Sequence, residues 1–287
     1  MFNQLNLFNK MKTKHLIIGT FVVAAGLSIA ISGCKKKEED SDTTSASDNE
    51  QSEFVSNDAL NMADAAANGQ SSFKNNPSGG YIDEALGGCA TVTKDSATHT
   101  ITIDFGPSNC LCKDGRNRRG KIIVVNTGLF FIAGSSRTVT FDNYYVNDHH
   151  IEGIHTVTYN GLNSSNHPNW TISAQNMKIT RPNGNYHSWN STRNREWAQG
   201  DSTLFNWTDD VYLITGSASG TNVNGASFTA NITSALRWEL SCHWLVSGTI
   251  ELTPANKPTR TVDFGSGACD NQATVTIGTK TYTITMH

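Results

Sequence analysis

Alternation of apolar and polar residues with a period of two is the feature that most restricts the fold of this sequence. In residues 100–105, Ile101, Ile103 and Phe105 share one face of an extended chain, and Thr and Asp occupy the other. Residues 228–232 and 282–286 repeat the pattern. Threonine, which suits pleated and half-buried surfaces, occurs 29 times between residues 81 and 287. This part of the chain is therefore expected to be built from strands.

Turn chemistry predicts that successive strands run antiparallel. Four dipeptides that accept positive φ separate apolar stretches, and no strand is followed by a helical pattern of crossover length. The run from Ile122 to Val125 suits a strand covered on both faces. We expect an all-β fold, an antiparallel β-meander closing into a barrel, half-barrel or sandwich, with one short N-terminal helix after a disordered tether. The four dipeptides are Asp114-Gly115, Asn160-Gly161, Asn183-Gly184 and Asn224-Gly225.

Residues 35–80 have a different composition, with nine acidic residues against four lysines. Such a segment buries little apolar surface and is typical of a solvated linker. Ser56 or Asn57 would cap a short helix that ends at Asn68, before Gly69. Its apolar stripe is rich in alanine and is expected to dock lightly on the β-rich domain. The stripe comprises Val55, Ala59, Met62, Ala63 and Ala66.

The N-terminal segment reads as a targeting signal. Lys12 and Lys14 precede an uncharged run from Leu16 to Ile31, too short for a typical bilayer span. The residues Ile-Ser-Gly-Cys that end at Cys34 resemble the lipobox of bacterial lipoproteins, which implies cleavage before Cys34 and acylation of that residue. Several acyl chains give lasting membrane attachment. We expect a lipoprotein signal peptide (1–33), a lipidated Cys with an acidic flexible tether and short helix (34–80), and a single β-rich domain (81–287).

The five remaining cysteines predict two disulfides in an oxidising compartment. We expect Cys242 to pair with Cys269, and Cys89 to pair with either Cys110 or Cys112. Cys110 and Cys269 each lie six residues after the Asp of an Asp-Phe-Gly turn. In those turns Asp104 and Asp263 are expected to accept hydrogen bonds from backbone amides. The repeat implies either a pseudo-twofold relation or pairing of the terminal hairpins.

Two clusters suggest ligand sites, each with a plainer alternative. Four tryptophans near Tyr, Arg and Asn residues offer the rigid aromatic groups of a glycan platform, although packing would explain each of them. His149 and His155 would share a strand face and are weak metal candidates, against solvated surface histidines. We expect no bound metal and no cofactor. The glycan candidates are Trp170, Trp189, Trp197 and Trp207.

No catalytic motif is present, so no catalytic residue is assigned. The sequence lacks a nucleophile elbow, a zinc-protease helix and a dinucleotide fingerprint. Paired carboxylates would serve a hydrolase, with Glu196, Asp209, Asp210 and Glu239 as candidates, but their separation is the deciding quantity. A pI near 6.3 argues against nucleic-acid binding.

The whole pattern resembles β-rich envelope lipoproteins of the Bacteroidota. Its elements are the lipobox, the acidic tether, the short helix, and then the Cys-Ala-Thr-Val-Thr, Asp-Phe-Gly and Asp-Gly-Arg segments. The resemblance implies an outer-membrane, lipid-anchored location, on the periplasmic side or the cell surface, and no activity. We expect a non-enzymatic binding or scaffolding role, with polysaccharide or other envelope proteins as partners. The alternatives are a carboxylate-dependent secreted hydrolase and a periplasmic lipid or ligand carrier.

Overall fold

The strands form an antiparallel meander in a computed structural model that describes residues 39–68, 88–129, 131–203 and 206–287. The described part also contains one α-helix and a one-turn 3₁₀ helix at Trp207–Asp209. The elements are α1 (Thr44–Asn68), β1 (Thr91–Asp95), β2 (Thr100–Asp104), β3 (Cys110–Leu111), β4 (Asn117–Asn126), β5 (Ser136–Val146), β6 (His149–Leu162), β7 (Pro168–Thr180), β8 (Tyr186–Gln199), β9 (Val211–Thr221), β10 (Ser227–Glu239), β11 (Leu245–Pro254), β12 (Arg260–Ser266), β13 (Gln272–Ile277) and β14 (Lys280–Thr285).

Each strand pairs with its neighbour in the chain, except that β2 pairs with β4 and the two-residue β3 also pairs with β4. The expected all-β meander is confirmed. The sheet is open, with β1 and β14 as its edges, so closure by pairing of the terminal hairpins is not observed.

Register explains which expected stripes are buried. Ile101, Ile103 and Phe105 all face the core. The run from Ile122 to Val125 is covered on one face only, because Val125 is exposed while Ile122 is buried. Asn160-Gly161 is not a hairpin tip, since Gly161 lies inside β6 at a register shift and has a φ of 93°. The prediction of a strand covered on both faces at residues 122–125 and that of a hairpin tip at Gly161 were therefore wrong. Neither one-sided burial nor a bulge can be read from one strand, because both depend on the partner strands.

The helix differs most from expectation. It begins at Thr44 rather than at Ser56 or Asn57, so residues 44–55, predicted as linker, are helical. The Asp42 carboxylate accepts a hydrogen bond of 2.9 Å from the Thr44 amide at its start. Its residues are mostly buried on all sides, including polar ones, so the expected light docking is wrong. Among the described residues, no helix combines the length and apolar character needed to span a membrane.

The sheet curves around α1. Lys94 of β1 donates a hydrogen bond of 3.2 Å to the carbonyl of Ala67, and Trp238 of β10 stacks on Phe54, with ring centroids 6.5 Å apart. In a flat sheet, β1 and β10 would lie about 38 Å apart, and one helix would not reach both. The helix and the sheet belong to one compact unit, Asp40–His287.

Two disulfides fix the ends of the meander. Cys242 is bonded to Cys269, as expected, and Cys89 is bonded to Cys110 rather than to Cys112. Cys112 is a buried free thiol. Cys34, the signal segment and residues 69–87 lie outside the described residues.

The Asp-Phe-Gly turns form as expected. The Asp104 carboxylate accepts a hydrogen bond of 2.8 Å from the Gly106 amide, and the Asp263 carboxylate accepts one of 2.9 Å from the Gly265 amide. Both glycines have positive φ. Gly106 lies after β2, where the chain leaves the strand, whereas Gly265 lies inside β12 at a register shift against β11.

Candidate functional site

The candidate tryptophans do not form an exposed platform. Trp170, Trp189 and Trp197 are each at most 8% exposed and belong to the core, and Trp207 is half-buried. Trp197 also donates a hydrogen bond of 3.1 Å to the Asp210 carboxylate. The inner face of the sheet takes up these rings because it must fill the space around α1. Burial therefore favours packing, the plainer alternative, over a glycan face for Trp170, Trp189 and Trp197.

The histidine pair does not converge on a metal. His155 points inward, where its Nε2 lies 3.2 Å from the Ser56 hydroxyl of α1. His149 lies near the turn after β5, and its Nδ1 contacts the Asn147 carbonyl at 2.9 Å. Burial lowers the pKa of His155 to about 4, so its ring is neutral at neutral pH. The described residues contain no group of three or more His, Cys, Asp or Glu side chains placed to hold a metal.

The candidate carboxylates have separate partners. Glu196 lies 2.6 Å from His167 Nδ1, and Glu239 accepts a hydrogen bond of 2.6 Å from Arg237. Asp209 accepts hydrogen bonds from the Thr203 hydroxyl. Burial raises the pKa of Asp210 to about 7, with the Trp197 hydrogen bond opposing that rise. Each of the four candidate carboxylates thus has a side-chain partner of its own, and none of these hydrogen bonds joins two of the carboxylates.

The interior of the curved sheet is occupied by α1. Between Glu53, Ser56, Leu60 and His155 a cavity of about 10 Å³ remains, enough for at most one water molecule. A lipid carrier needs an apolar cavity many times larger. The position in which such a cargo would lie is filled by the protein's own helix, so this arrangement does not favour the carrier alternative.

The outer face of β7 to β11 carries two adjoining hollows of about 690 Å³ and 620 Å³. Both are lined by Asn190, Ser219, Thr229 and Thr253. We call this surface the outer groove. Its shared lining consists of hydroxyl and amide side chains that are all exposed.

Strand register sets these groups in two rows across the sheet. In the first row, Asn190 pairs with Ser219, Ser219 with Thr229, and Thr229 with Thr253. The second row lies two residues further along each strand. Neighbours in a row are about 4.8 Å apart, and the rows are about 6.6 Å apart. The second row consists of Thr192, Ser217, Asn231 and Glu251.

Short side chains in the rows and longer ones beside them create the hollow. Asn190 is held by a hydrogen bond of 2.8 Å that its side-chain oxygen accepts from the Asn176 amide. At one end, Tyr186 is 54% exposed, and the Lys178 ammonium lies 5.3 Å from its ring centroid. The groove thus combines a regular set of polar groups with one accessible aromatic ring.

The outer groove cannot be recognised from the sequence of any one strand, although all of its residues are there. Each contributing strand shows four or five polar residues at alternate positions, a pattern that is typical of any exposed strand face. Their alignment into rows depends on the register between β8, β9, β10 and β11. Residue spacing within one strand carries no such information.

Apolar side chains gather at one end of the sheet. Leu129, Phe131 and Ile132 in the loop after β4 are 73%, 48% and 56% exposed, and Leu162 at the end of β6 is 60% exposed. Phe131 packs edge-on against Tyr159, with ring centroids 5.7 Å apart, which anchors the loop. Exposed apolar patches of this kind are typical of contact surfaces.

The outer groove is interpreted from its own chemistry, because the comparisons with known proteins supply no template. No protein-family model, no curated protein and no solved structure matches this chain.

Proposed function

We propose that this protein is a lipid-anchored outer-membrane lipoprotein with a non-enzymatic binding role, and that its outer groove contacts a polysaccharide. The observation that carries the proposal is the pair of hydroxyl and amide rows across β8 to β11. A polysaccharide presents hydroxyl groups along an extended chain, and side-chain hydroxyls and amides both donate to and accept from such groups.

The lining favours a neutral glycan. Of the eight residues in the two rows, only Glu251 is charged. Tyr186 supplies an amphipathic ring at the end of the groove, on which the apolar face of a sugar can stack. Many weak contacts along a repeating ligand suit a scaffold that holds envelope components together.

The anchor part of the proposal rests on the N-terminal sequence. The lipobox-like residues that end at Cys34 support acylation of that cysteine. The charged segment after it, three lysines followed by three acidic residues, resembles the tether of envelope lipoproteins. Two or three acyl chains on one residue suffice for lasting membrane attachment.

Filling the groove tests the glycan contact. Ser219→Tyr places a bulky ring in the first row, whereas Thr283→Tyr places the same ring on an exposed position of the edge strand β14, three strands away from the groove. We expect Ser219→Tyr and Tyr186→Ala each to weaken binding to neutral polysaccharides about tenfold in affinity electrophoresis, with Thr283→Tyr unchanged. Equal retention of all three variants and the wild type, or no retention of the wild type, would contradict the glycan role.

Removing the thiol tests the anchor. Cys34→Ser is expected to abolish palmitate labelling and to move the protein from the membrane fraction to the soluble fraction. The buried Cys112→Ser variant serves as the matched control because it should keep both properties. Labelling that persists in Cys34→Ser would exclude acylation at this residue.

A further inference from the structure

The helix α1 is acidic to an unusual degree for a buried element. It carries five acidic residues and no lysine, arginine or histidine. Four of the acids, Asp48, Glu50, Glu53 and Asp58, are at most 6% exposed. A buried carboxylate is costly unless a cation or hydrogen-bond donor compensates it. The stability of α1 in its site therefore depends on the charges that the sheet presents to it.

The inner face of the sheet and the segments that follow β7 and β14 together supply a partner for each of these acids. Arg181 after β7 pairs with Asp48 at 2.5 Å, and His287 at the C-terminus lies 2.8 Å from Glu50. In the middle of α1, Arg193 of β8 pairs with Glu53.

The same pattern continues towards the C-terminal end of the helix. Arg118 of β4 pairs with Asp58 at 3.0 Å, and Arg195 of β8 pairs with Asp64 at 3.2 Å. Arg137 of β5 also contacts Asp64. The ion pairs run along the whole length of the helix, so the inner face of the sheet recognises the spacing of the acids as well as their charge. We call this inner face, together with Arg181 and His287, the cationic cradle.

Only the main chain joins α1 covalently to the cradle. Both disulfides lie within residues 89–269, and neither involves the helix. An isolated polar helix of this length is marginal in water, so its order derives largely from the cradle. A second copy of the chain carries the same acids at the same spacing and would form every one of these contacts.

We propose that the cationic cradle is a recognition site for an acidic helix, and that α1 of a second copy of this chain can occupy it in place of the chain's own α1. Exchange of α1 between two copies keeps all the ion pairs and leaves no buried charge without its partner. The product is a dimer joined by reciprocal helix insertion. This inference does not depend on the outer groove or on acylation.

A cysteine trap tests the exchange. Asn222 donates a hydrogen bond of 2.9 Å to the Ser45 hydroxyl at the start of α1. A full chain with both Ser45→Cys and Asn222→Cys should cross-link within itself and serves as the control for geometry. After co-folding of one chain carrying Ser45→Cys with another carrying Asn222→Cys, we expect a reducible heterodimer. As a control, the chain with Ser45→Cys is replaced by a chain with Ser96→Cys, at an exposed position outside α1. This mixture should give no heterodimer above background.

A charge exchange provides a second, independent measurement. Glu53→Arg and Arg193→Glu each bury two like charges when a chain uses its own helix. In a mixed dimer with exchanged helices, both sites regain opposite charges. We expect the two variants to co-purify as a heterodimer when co-expressed with different tags. The double variant in one chain again has opposite charges at this site, so it should match the wild type in its oligomeric state.

Two results would overturn the proposal. One is a chain that cross-links within itself although the mixed cysteine variants remain monomeric. The other is a folded double charge variant whose two single variants do not associate. If the cysteine control fails to cross-link, the charge exchange alone decides.

Discussion

Arg118 donates two hydrogen bonds to Asp58, one to each carboxylate oxygen and each 3.0 Å long, and so joins β4 to α1 in the interior. The guanidinium is fully buried and is also bonded to Asp114 at 2.9 Å. Burial disfavours the charged form of Arg118, but Asp58 and Asp114 outweigh it and hold its pKa well above the ordinary value. Both bonds to Asp58 come from Nη2, while Nη1 donates to Asp114, so one guanidinium joins two carboxylates.

Removing the Asp58 carboxylate should therefore destabilise the protein strongly. In Asp58→Ala the guanidinium of Arg118 stays buried and loses one of its two counterions, which is expected to cost about 3 to 5 kcal/mol. Urea unfolding of the wild type and the variant measures this. Lys121→Met is the matched control, because the pair of Lys121 with Asp104 is exposed and should contribute at most about 1 kcal/mol. Equal losses in the two variants would show that burial does not set the cost.

The acidic helix also shows where sequence-based prediction fails. The partners of Asp58, Glu53 and Glu50 lie 60, 140 and 237 residues away in the chain. Locally these acids are typical of a solvated tether, and nothing nearby compensates them. Burial of α1 follows only when the sheet has brought Arg118, Arg193 and His287 together.

The strands were predictable because their signal is local. Alternation of apolar and polar residues within five positions identified β2 and β10. The Asp-Phe-Gly hydrogen bonds were predictable because each Asp carboxylate accepts from a backbone amide only two residues away. Which face of β8 is buried was not predictable in the same way. Its buried face carries Trp189 together with Arg193 and Arg195. Arginines at these positions suggest that the face is exposed to solvent, and only their acidic partners on α1 explain its burial.

Acid should weaken the fold through His155. Burial lowers its pKa from the ordinary value of 6.5 to about 4, and Phe141, Ser56, Glu53 and Arg193 surround the ring. Between pH 6.5 and 4 the unfolded chain binds a proton that the folded chain does not, so this contribution to stability falls as the pH falls through that window. From pH 7 to pH 5 the loss is about 2 kcal/mol.

Replacing this histidine isolates its contribution from those of the other buried groups. His155→Gln should lose less stability than the wild type when the pH is lowered from 7 to 5, by about 2 kcal/mol in urea unfolding. His243→Gln, at an exposed position, is the control. A His155→Gln variant with the same pH dependence as the wild type would show that His155 titrates normally in the fold.

The two disulfides should contribute nearly equally. Their sequence separations are 21 residues for Cys89–Cys110 and 27 residues for Cys242–Cys269. Loop-closure entropy for loops of these lengths predicts about 3 kcal/mol for each. Cys89→Ala and Cys242→Ala should therefore lower the free energy of unfolding by similar amounts, measured with urea under oxidising conditions. A difference above about 2 kcal/mol would mean that loop closure is not the main source of their stabilisation.

Alanine substitutions at two glycines distinguish the cost of backbone strain from the cost of a steric clash. Gly115 has a φ of 80° and Gly120 a φ of 84°, so alanine is strained at both. A Cβ at Gly115 meets open space, whereas a Cβ at Gly120 would lie 1.9 Å from the Asn143 carbonyl oxygen on β5. Gly115→Ala should cost about 1 to 2 kcal/mol. Gly120→Ala must also push β4 away from β5 beside Arg118, and is expected to cost at least about 3 kcal/mol, the range of severe core disruption. Thermal and urea unfolding of the two variants measure the difference, and equal costs would show that β4 and β5 can separate there without penalty.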